Sequence, residues 1–333
     1  MLGKSVKLRD VAALAGVSLA TASKALNGEP RVGDETRARI ISAARSLGYS
    51  RTPRELEGSS GTVGLLTSDL EGRFSLPILM GAEDTLGAGQ LSVFLCDARG
   101  DTIRERHYIS ALLSRRVDAI MVVGSRTDPR PPIAPELDLP VPVVYVYTPS
   151  LDPRDHSIVS DNVAGGRLAA EHLIAIGRRR IAHVTGPPNH RASIDRRVGV
   201  LDALAKQGMT LVFESDYGEW NERWGRSATA MLIERGEDFD AVLCDSDQIA
   251  RGALDALKER GIDVPRQVAV TGFDNWDLIV ESTNPMLTSI EMSLEAMGRL
   301  AAERLFGALR GKPLTPGVDR QPCRLIVRSS TYA

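Results

Sequence analysis

The stretch "LRDVAALAGVSLATASKALNG", residues 8 to 28, decides how the rest of this 333-residue chain is read. Leu8, Val11, Ala12 and Ala15 fall at helical spacing on one face, which predicts a short first helix. Gly16 ends it, as glycine does just past a helix. Ser18 is a good N-cap for a second helix, Leu19 to Leu26, whose Ala22, Ala25 and Leu26 can face the first. Asn27-Gly28 closes that helix. Two helices joined by about three residues that include a glycine make a helix-turn-helix, and its second helix fits the DNA major groove. The alanines allow a close crossing. Ser18, Thr21, Ser23, Lys24 and Asn27 leave the other face polar, suited to phosphates and base edges. On this stretch alone, the alternative is an Ala-rich helical hairpin that binds nothing.

Working outward, a third helix is expected after Gly33, with Asp34 and Glu35 favouring its N-terminus and Ile40, Ile41, Ala44 and Leu47 as its apolar stripe. "YSRTPRELEGSSGT", from Tyr49 to Thr62, is rich in Ser, Gly and Pro, and is expected to be a linker with one helical turn from Pro53 to Glu57. Charge divides at the same place. Residues 1 to 60 carry ten Lys and Arg against six Asp and Glu, and the remainder carries 31 against 37, for a net charge of -2. A basic head on an acidic body suits a DNA-binding unit joined to one that does not bind DNA.

From Val63 onward, strand-like runs alternate with amphipathic helix candidates such as 165–177 and 248–260. The runs are "VGLLTS", "LSVFLCDA", "AIMVVGS", "PVVYVYT", "RIAHVTG", "LVFES", "AVLCDS" and "VAVTGFD". This rhythm predicts parallel sheets with helices on both faces, and its length predicts two doubly wound halves. Ligands bind beyond the carboxyl ends of such strands. Here those ends read Thr67-Ser68-Asp69, Asp97-Ala98-Arg99, Gly124-Ser125-Arg126, Gly186-Pro187, Asp245-Ser246-Asp247 and Asp274-Asn275, a polar collection suited to a hydroxyl-rich molecule.

Other classes fit less well. Cys96, Cys244 and Cys323 have no CxxC spacing, so buried reduced thiols are expected and no metal. The polar start "MLGKSVKLRD" has no apolar h-region and no run is long enough to span a membrane, so a cytoplasmic protein is expected. A free-standing sugar-binding protein would need a signal peptide and no basic head. "GKS" at 3–5 lacks the strand and earlier glycine of a phosphate loop. With no GxSxG, HExxH or GxGxxG and only five histidines, neither an enzyme nor a cofactor is expected.

The head motifs "DVAALAGVSLATASKALNG" and "VGDETRARIISAARSLGY" and the body motifs "DNVAGGRLAAEHLIAIGRRRIAHVTGP", "DSDQIARGALDALKERGIDVPRQVAVTGFDN", "PMLTSI" and "LIVRSST" together resemble the lactose-repressor (LacI/GalR) family of bacterial transcription regulators. The resemblance implies a helix-turn-helix head (1–50), a hinge (51–62) and two subdomains like those of periplasmic sugar-binding proteins. The chain would cross between these three times, giving 63–160 with 290–321 and 161–289 with 322–333. It also implies a repressor of carbohydrate genes that acts as a homodimer on a near-palindromic double-stranded operator. A small-molecule effector, a sugar or its derivative, would bind between the subdomains.

By the same resemblance, Leu19 and Ala20 read bases, Lys24 suits a guanine edge, and Thr21, Ser23 and Asn27 contact the DNA backbone. Leu56 would be a hinge-helix wedge in the minor groove. Arg196, in "RRVG", and Asp274, ending "GFD", would hold the effector through charge-assisted bonds. Trp220 and Phe74 would form its walls, and Ser246 and Arg99 weaker polar contacts. Asp161 and Asp247 are expected to be helix N-caps. Three departures stand out: Lys7 replaces a capping Thr or Ser, the stretch from Tyr49 to Leu56 is about two residues short, and Gly72-Arg73 replaces Asn-Pro.

Overall fold

The computed structural model describes residues 8–26, 32–47, 60–69, 73–88, 91–134, 139–215 and 218–332. Asn27, Leu56 and nearly all of the expected hinge lie outside these residues.

In the head, helices α1 (Leu8–Leu14), α2 (Leu19–Leu26) and α3 (Asp34–Ser46) follow the apolar periodicity. Gly16 turns the chain with φ +64°, a left-handed conformation that favours glycine. The Ser18 hydroxyl accepts from the Thr21 amide at 3.1 Å and so caps α2. Val11, Ala12, Ala15, Ala22, Ala25 and Ile40 close a small core, in which Ala43 is buried and Ile41 is only half-buried. Two arginines of α3 finish the other helices. Arg37 donates to the Ala25 carbonyl at 2.9 Å and Arg39 to the Ala15 carbonyl at 3.1 Å, meeting carbonyls that a helix end leaves open.

The body begins with β1 (Thr62–Thr67), α4 (Ser75–Ala88), β2 (Ser92–Asp97), α5 (Thr102–Ser114), β3 (Ala119–Val123), β4 (Val143–Val146) and β5 (His156–Ser160). Next come α6 (Asn162–Ala175), β6 (Ile181–Val184), α7 (Arg191–Ala205), β7 (Phe213–Glu214), α8 (Glu222–Glu234), β8 (Ala241–Cys244), α9 (Asp247–Glu259), β9 (Ala269–Asp274), the single turn α10 (Asp277–Val280) and β10 (Thr288–Glu291). The chain ends with α11 (Leu294–Leu309), β11 (Gly317–Gln321) and β12 (Arg324–Ile326).

Two six-stranded sheets result, in the orders β11-β5-β4-β3-β1-β2 and β12-β10-β9-β8-β6-β7. All pairings are parallel except β10 with β12, so the second sheet carries an antiparallel edge strand that the parallel-sheet reading did not include. Central strands such as β3, "AIMVV", are buried along their whole length because helices cover both faces.

The chain passes between the sheets three times: after Ser160, after Glu291 and after Gln321. The second passage falls two residues beyond the expected 289/290 boundary, because Ile290 and Glu291 still pair with β9. The three passages are tied together. The Asp161 amide donates to Gln321 O at 2.8 Å, the Ser160 hydroxyl to Met292 O at 3.1 Å, and the Ser293 hydroxyl to Pro322 O at 3.1 Å.

Candidate effector cleft and nucleic-acid surface

On the head, Ser18, Leu19, Ala20 and Lys24 are exposed and Thr21 and Ser23 are half-exposed, all on the side of α2 away from its buried Ala22 and Ala25. Leu19 keeps 53% of its surface open although it is apolar. The Ser18 hydroxyl is engaged by the helix cap and lies 2.8 Å from the Thr21 hydroxyl, so its first role is to start the helix.

The cleft lies between the two sheets and offers about 140 Å³ to the centres of water molecules. Phe74 and Tyr147 of the first half stack at 4.4 Å to form one wall. Trp220 of the second half forms another, its indole N–H donating to His190 Nδ1 at 2.8 Å. The glycine of "RRVG" explains how Arg196 arrives. A Cβ at Gly199 would collide with the Val163 carbonyl, so glycine there lets α7 lie directly on α6. That contact carries Arg196 to the cleft.

Arg196 keeps only 3% of its surface exposed. Its Nε donates to Asn162 Oδ1 at 2.9 Å, Nη1 donates to the Asp245 carbonyl, and Nη2 lies 3.5 Å from Asp274 Oδ1. The guanidinium rests 3.7 Å above the Phe273 ring. Burial presses its pKa below the ordinary arginine value.

Asp274 takes φ +108° and Asn275 φ +50°, conformations that cost a non-glycine residue about 1–3 kcal/mol each. The Asn275 amide is held by the Ser289 hydroxyl at 3.0 Å. This strained turn after β9 places the Asp274 carboxylate among the residues lining the cleft instead of along the sheet.

Four expected effector residues, Phe74, Arg196, Trp220 and Asp274, line this one cavity. Two do not. Arg99 is exposed on the loop after β2, 3.4 Å from Asp97, with its side chain 72% open. Ser246 is fully buried, and its hydroxyl caps α9 by accepting from Ile249 N at 3.2 Å. The capping expected of Asp247 is therefore done by its neighbour. Asp247 instead accepts from the Ser289 hydroxyl at 2.5 Å and the Trp276 amide at 2.7 Å, and burial pushes its pKa to about 7. Asp161 does cap α6, accepting from Ala164 N at 2.9 Å. Trp224 packs on the second core with its indole N–H on Thr185 O at 2.9 Å, while Trp276 lies 5.2 Å beneath the Arg73 guanidinium.

Sequence reasoning missed Arg73, Thr127, Asp128, Tyr147, His190 and Gln248, all of which line the cleft. Arg73 reaches from the first half to the second, forming an ion pair with Asp274 and donating to Gln248 Oε1 at 2.9 Å. Asp128 also reaches across, accepting from the Arg191 amide at 3.1 Å at the start of α7, where the N-cap residue His190 supplies no side-chain bond. The one available signal was Arg73 itself, standing where the family pattern has a proline. Among the described residues no cluster of His, Cys, Asp and Glu suits a metal ion, and no helix is long and apolar enough to cross a membrane.

A helical head with an open polar helix, joined to two three-layer halves around a polar cleft, defines a DNA-binding protein of two-subdomain build. Residues 7–52 match the bacterial regulatory proteins of the lacI family, and residues 170–331 match the periplasmic binding protein-like domain. The HTH-type transcriptional regulator CelR of Thermobifida fusca is 34% identical, with 97% of each chain covered. The HTH-type transcriptional repressor CytR of Escherichia coli K12 is 30% identical, over 98% of this chain and 96% of that one. A solved complex of CelR with cellobiose superimposes with a TM-score of 0.69 at 31% identity, covering 98% of this chain and 99% of that one. The lac repressor dimer bound to operator and the anti-inducer ONPF gives 0.69 at 26% identity, covering 99% and 100%. The chain belongs to the LacI family of bacterial transcriptional regulators.

Proposed function

We propose that this protein is a homodimeric repressor of carbohydrate-metabolism genes, located in the cytoplasm and controlled by a saccharide bound in the cleft. The observation that carries this reading is the convergence of Arg196, Asp274, Trp220 and Phe74 on one cavity between the two halves. Fixed charged groups beside aromatic walls suit a hydroxyl-rich ring, which hydrogen-bonds at its edges and stacks on its faces. CelR was solved with cellobiose, and the lac repressor as a dimer on operator.

The route from ligand to DNA runs through the three chain passages. Their mutual hydrogen bonds make them one hinge, so a ligand that favours one cleft angle alters how the first halves, and the heads before them, are spaced. On the operator, Leu19, Ala20 and Lys24 of α2 contact base edges and Thr21 and Ser23 the backbone. The same role is proposed for Asn27, with Leu56 in the minor groove. The test is to select bound DNA from a random library with the full-length protein, then measure operator affinity with and without saccharides by gel shift. A selected near-palindrome whose affinity changes with a saccharide supports the reading. Selection of no common sequence contradicts it.

A further inference from the structure

The cleft is unevenly provided with donors and acceptors. The side chains lining it include three guanidinium groups, Arg73, Arg126 and Arg196, and two carboxylates, Asp128 and Asp274. Both carboxylates are already engaged. Asp274 holds Arg73 and lies 3.5 Å from Arg196, while Asp128 accepts from Arg126 Nε and from the Arg191 amide, each at 3.1 Å. The acids just behind the lining bond elsewhere. Asp69 accepts from the Phe74 amide at 3.0 Å, Asp245 from Gly186 N at 2.9 Å with His183 Nε2 also at 2.9 Å, and Asp247 from Ser289 and Trp276.

The lining leaves groups of both kinds unmet: Asp274 Oδ2, which faces the Arg73 charge, makes no hydrogen bond among the described residues. Arg73 Nε and Thr127 Oγ1 are buried and have no hydrogen-bond partner among the described residues. His190 accepts from Trp220 at Nδ1, so its proton sits on Nε2 and adds another donor. Burial and the nearby Arg126 keep this imidazole pKa below its ordinary value.

We propose that the effector is an acidic saccharide, a polyhydroxylated ligand bearing one carboxylate or phosphate, and that Arg73 is the residue that selects for it. This rests on the reading that the cleft is the effector site. Arg73 pairs with the Asp274 carboxylate, so a ligand hydroxyl that takes Asp274 as its acceptor competes with that guanidinium. A neutral sugar would leave that guanidinium, with 17% of its side chain exposed, without its direct ion-pair partner, facing only the more distant charges of Asp247 and Asp69. Burying a charge after removing its partner is strongly unfavourable. An oxyanion on the ligand replaces the lost partner, accepts from Arg73 through a planar bidentate fork, and supplies the acceptors that Thr127 and His190 lack. The ligand hydroxyls then donate to Asp274. Arg73 thus bridges the two halves and sets what must replace it.

The test uses full-length protein and three matched probe sets: neutral mono- and disaccharides, the corresponding uronates, and the corresponding sugar phosphates. Thermal unfolding finds responders and calorimetry gives their affinities. The expected result is that an acid binds at least tenfold more tightly than its neutral parent. Which of the two acid sets responds identifies the anion. Arg73→Gln should then weaken the acid at least tenfold, with Arg73→Lys losing less because it keeps the charge but not the fork. The wild-type comparison of matched ligands does not depend on how well either variant folds. A neutral saccharide that binds as tightly as its acid overturns the proposal while leaving the cleft as the saccharide site. If no probe of any set binds, both the proposal and the saccharide reading fall.

Discussion

The recognition helix and the cleft use similar polar side chains in opposite ways. On α2, Lys24 and its neighbours stand in solvent, and the three-helix core beneath them is complete without them. In the cleft, Arg196 and Asp274 are buried and Arg73 is partly buried; both arginines face the Asp274 carboxylate, and Arg73 joins the halves through it. A DNA surface gains by releasing counterions from phosphates, so its cations belong in water. A selective small-molecule site gains by holding its charges in place beforehand, so they belong in a network. One site can therefore lose a residue without harm to the fold, and the other cannot.

The largest expected effect separates the two regions outright. A chain starting at residue 60 should lose operator binding entirely while its body still unfolds cooperatively and still shifts its melting temperature with the effector. Retained operator affinity would place the DNA surface in the body.

Next in size is Arg196→Ala. It leaves Asn162 Oδ1, the Asp245 carbonyl and one side of Asp274 without their donor. Breaking a buried pair from one side costs about 3–5 kcal/mol, so this variant should show reduced stability in urea as well as lost effector binding. Lys24→Ala, by contrast, should leave urea unfolding unchanged. Operator affinity should fall by about 1–3 kcal/mol if Lys24 reads a base, and the loss should shrink on random DNA. An equal loss on both would make it a phosphate contact.

A smaller effect concerns pH. Burial raises the Asp247 pKa to about 7, above its unfolded value, so the folded state holds a proton that the unfolded state releases. Its contribution to stability is complete below the ordinary carboxylate range and is lost as pH rises through about 7. Urea unfolding between pH 4 and 7 should therefore show a downward slope that Asp247→Asn removes. An unchanged slope in the variant would assign it to other groups.

How far each region was legible follows from the same contrast. The head is built from contacts three and four residues apart, so Val11, Ala12 and Ala22 announced it. Eight strands showed as apolar runs, most of them because both of their faces are covered; the edge strand β2 is apolar although largely exposed. The four that did not, β5 "HSIVS", β10 "TSIE", β11 "GVDRQ" and β12 "RLI", are short or polar and become strands only through the partners they pair with. In the cleft, Arg196 and Asp274 were recognisable from family motifs. Arg73 and Asp128 were not, since Gln248 lies 175 residues from Arg73 and Arg191 lies 63 from Asp128. Ser246 was misread because serine serves equally as a ligand contact and as a helix cap, and only the course of the backbone decides between them.

The central claim is that the cleft and the recognition helix are coupled, and reciprocity tests it most directly. Operator affinity is measured by fluorescence anisotropy with and without saturating effector, and effector affinity by calorimetry with and without saturating operator. Linkage requires the two ratios to be equal, and a coupling free energy of about 1–3 kcal/mol makes each roughly 5- to 150-fold. Equal ratios in that range are the predicted result. A ratio of one in both directions, with both ligands bound, would contradict the account.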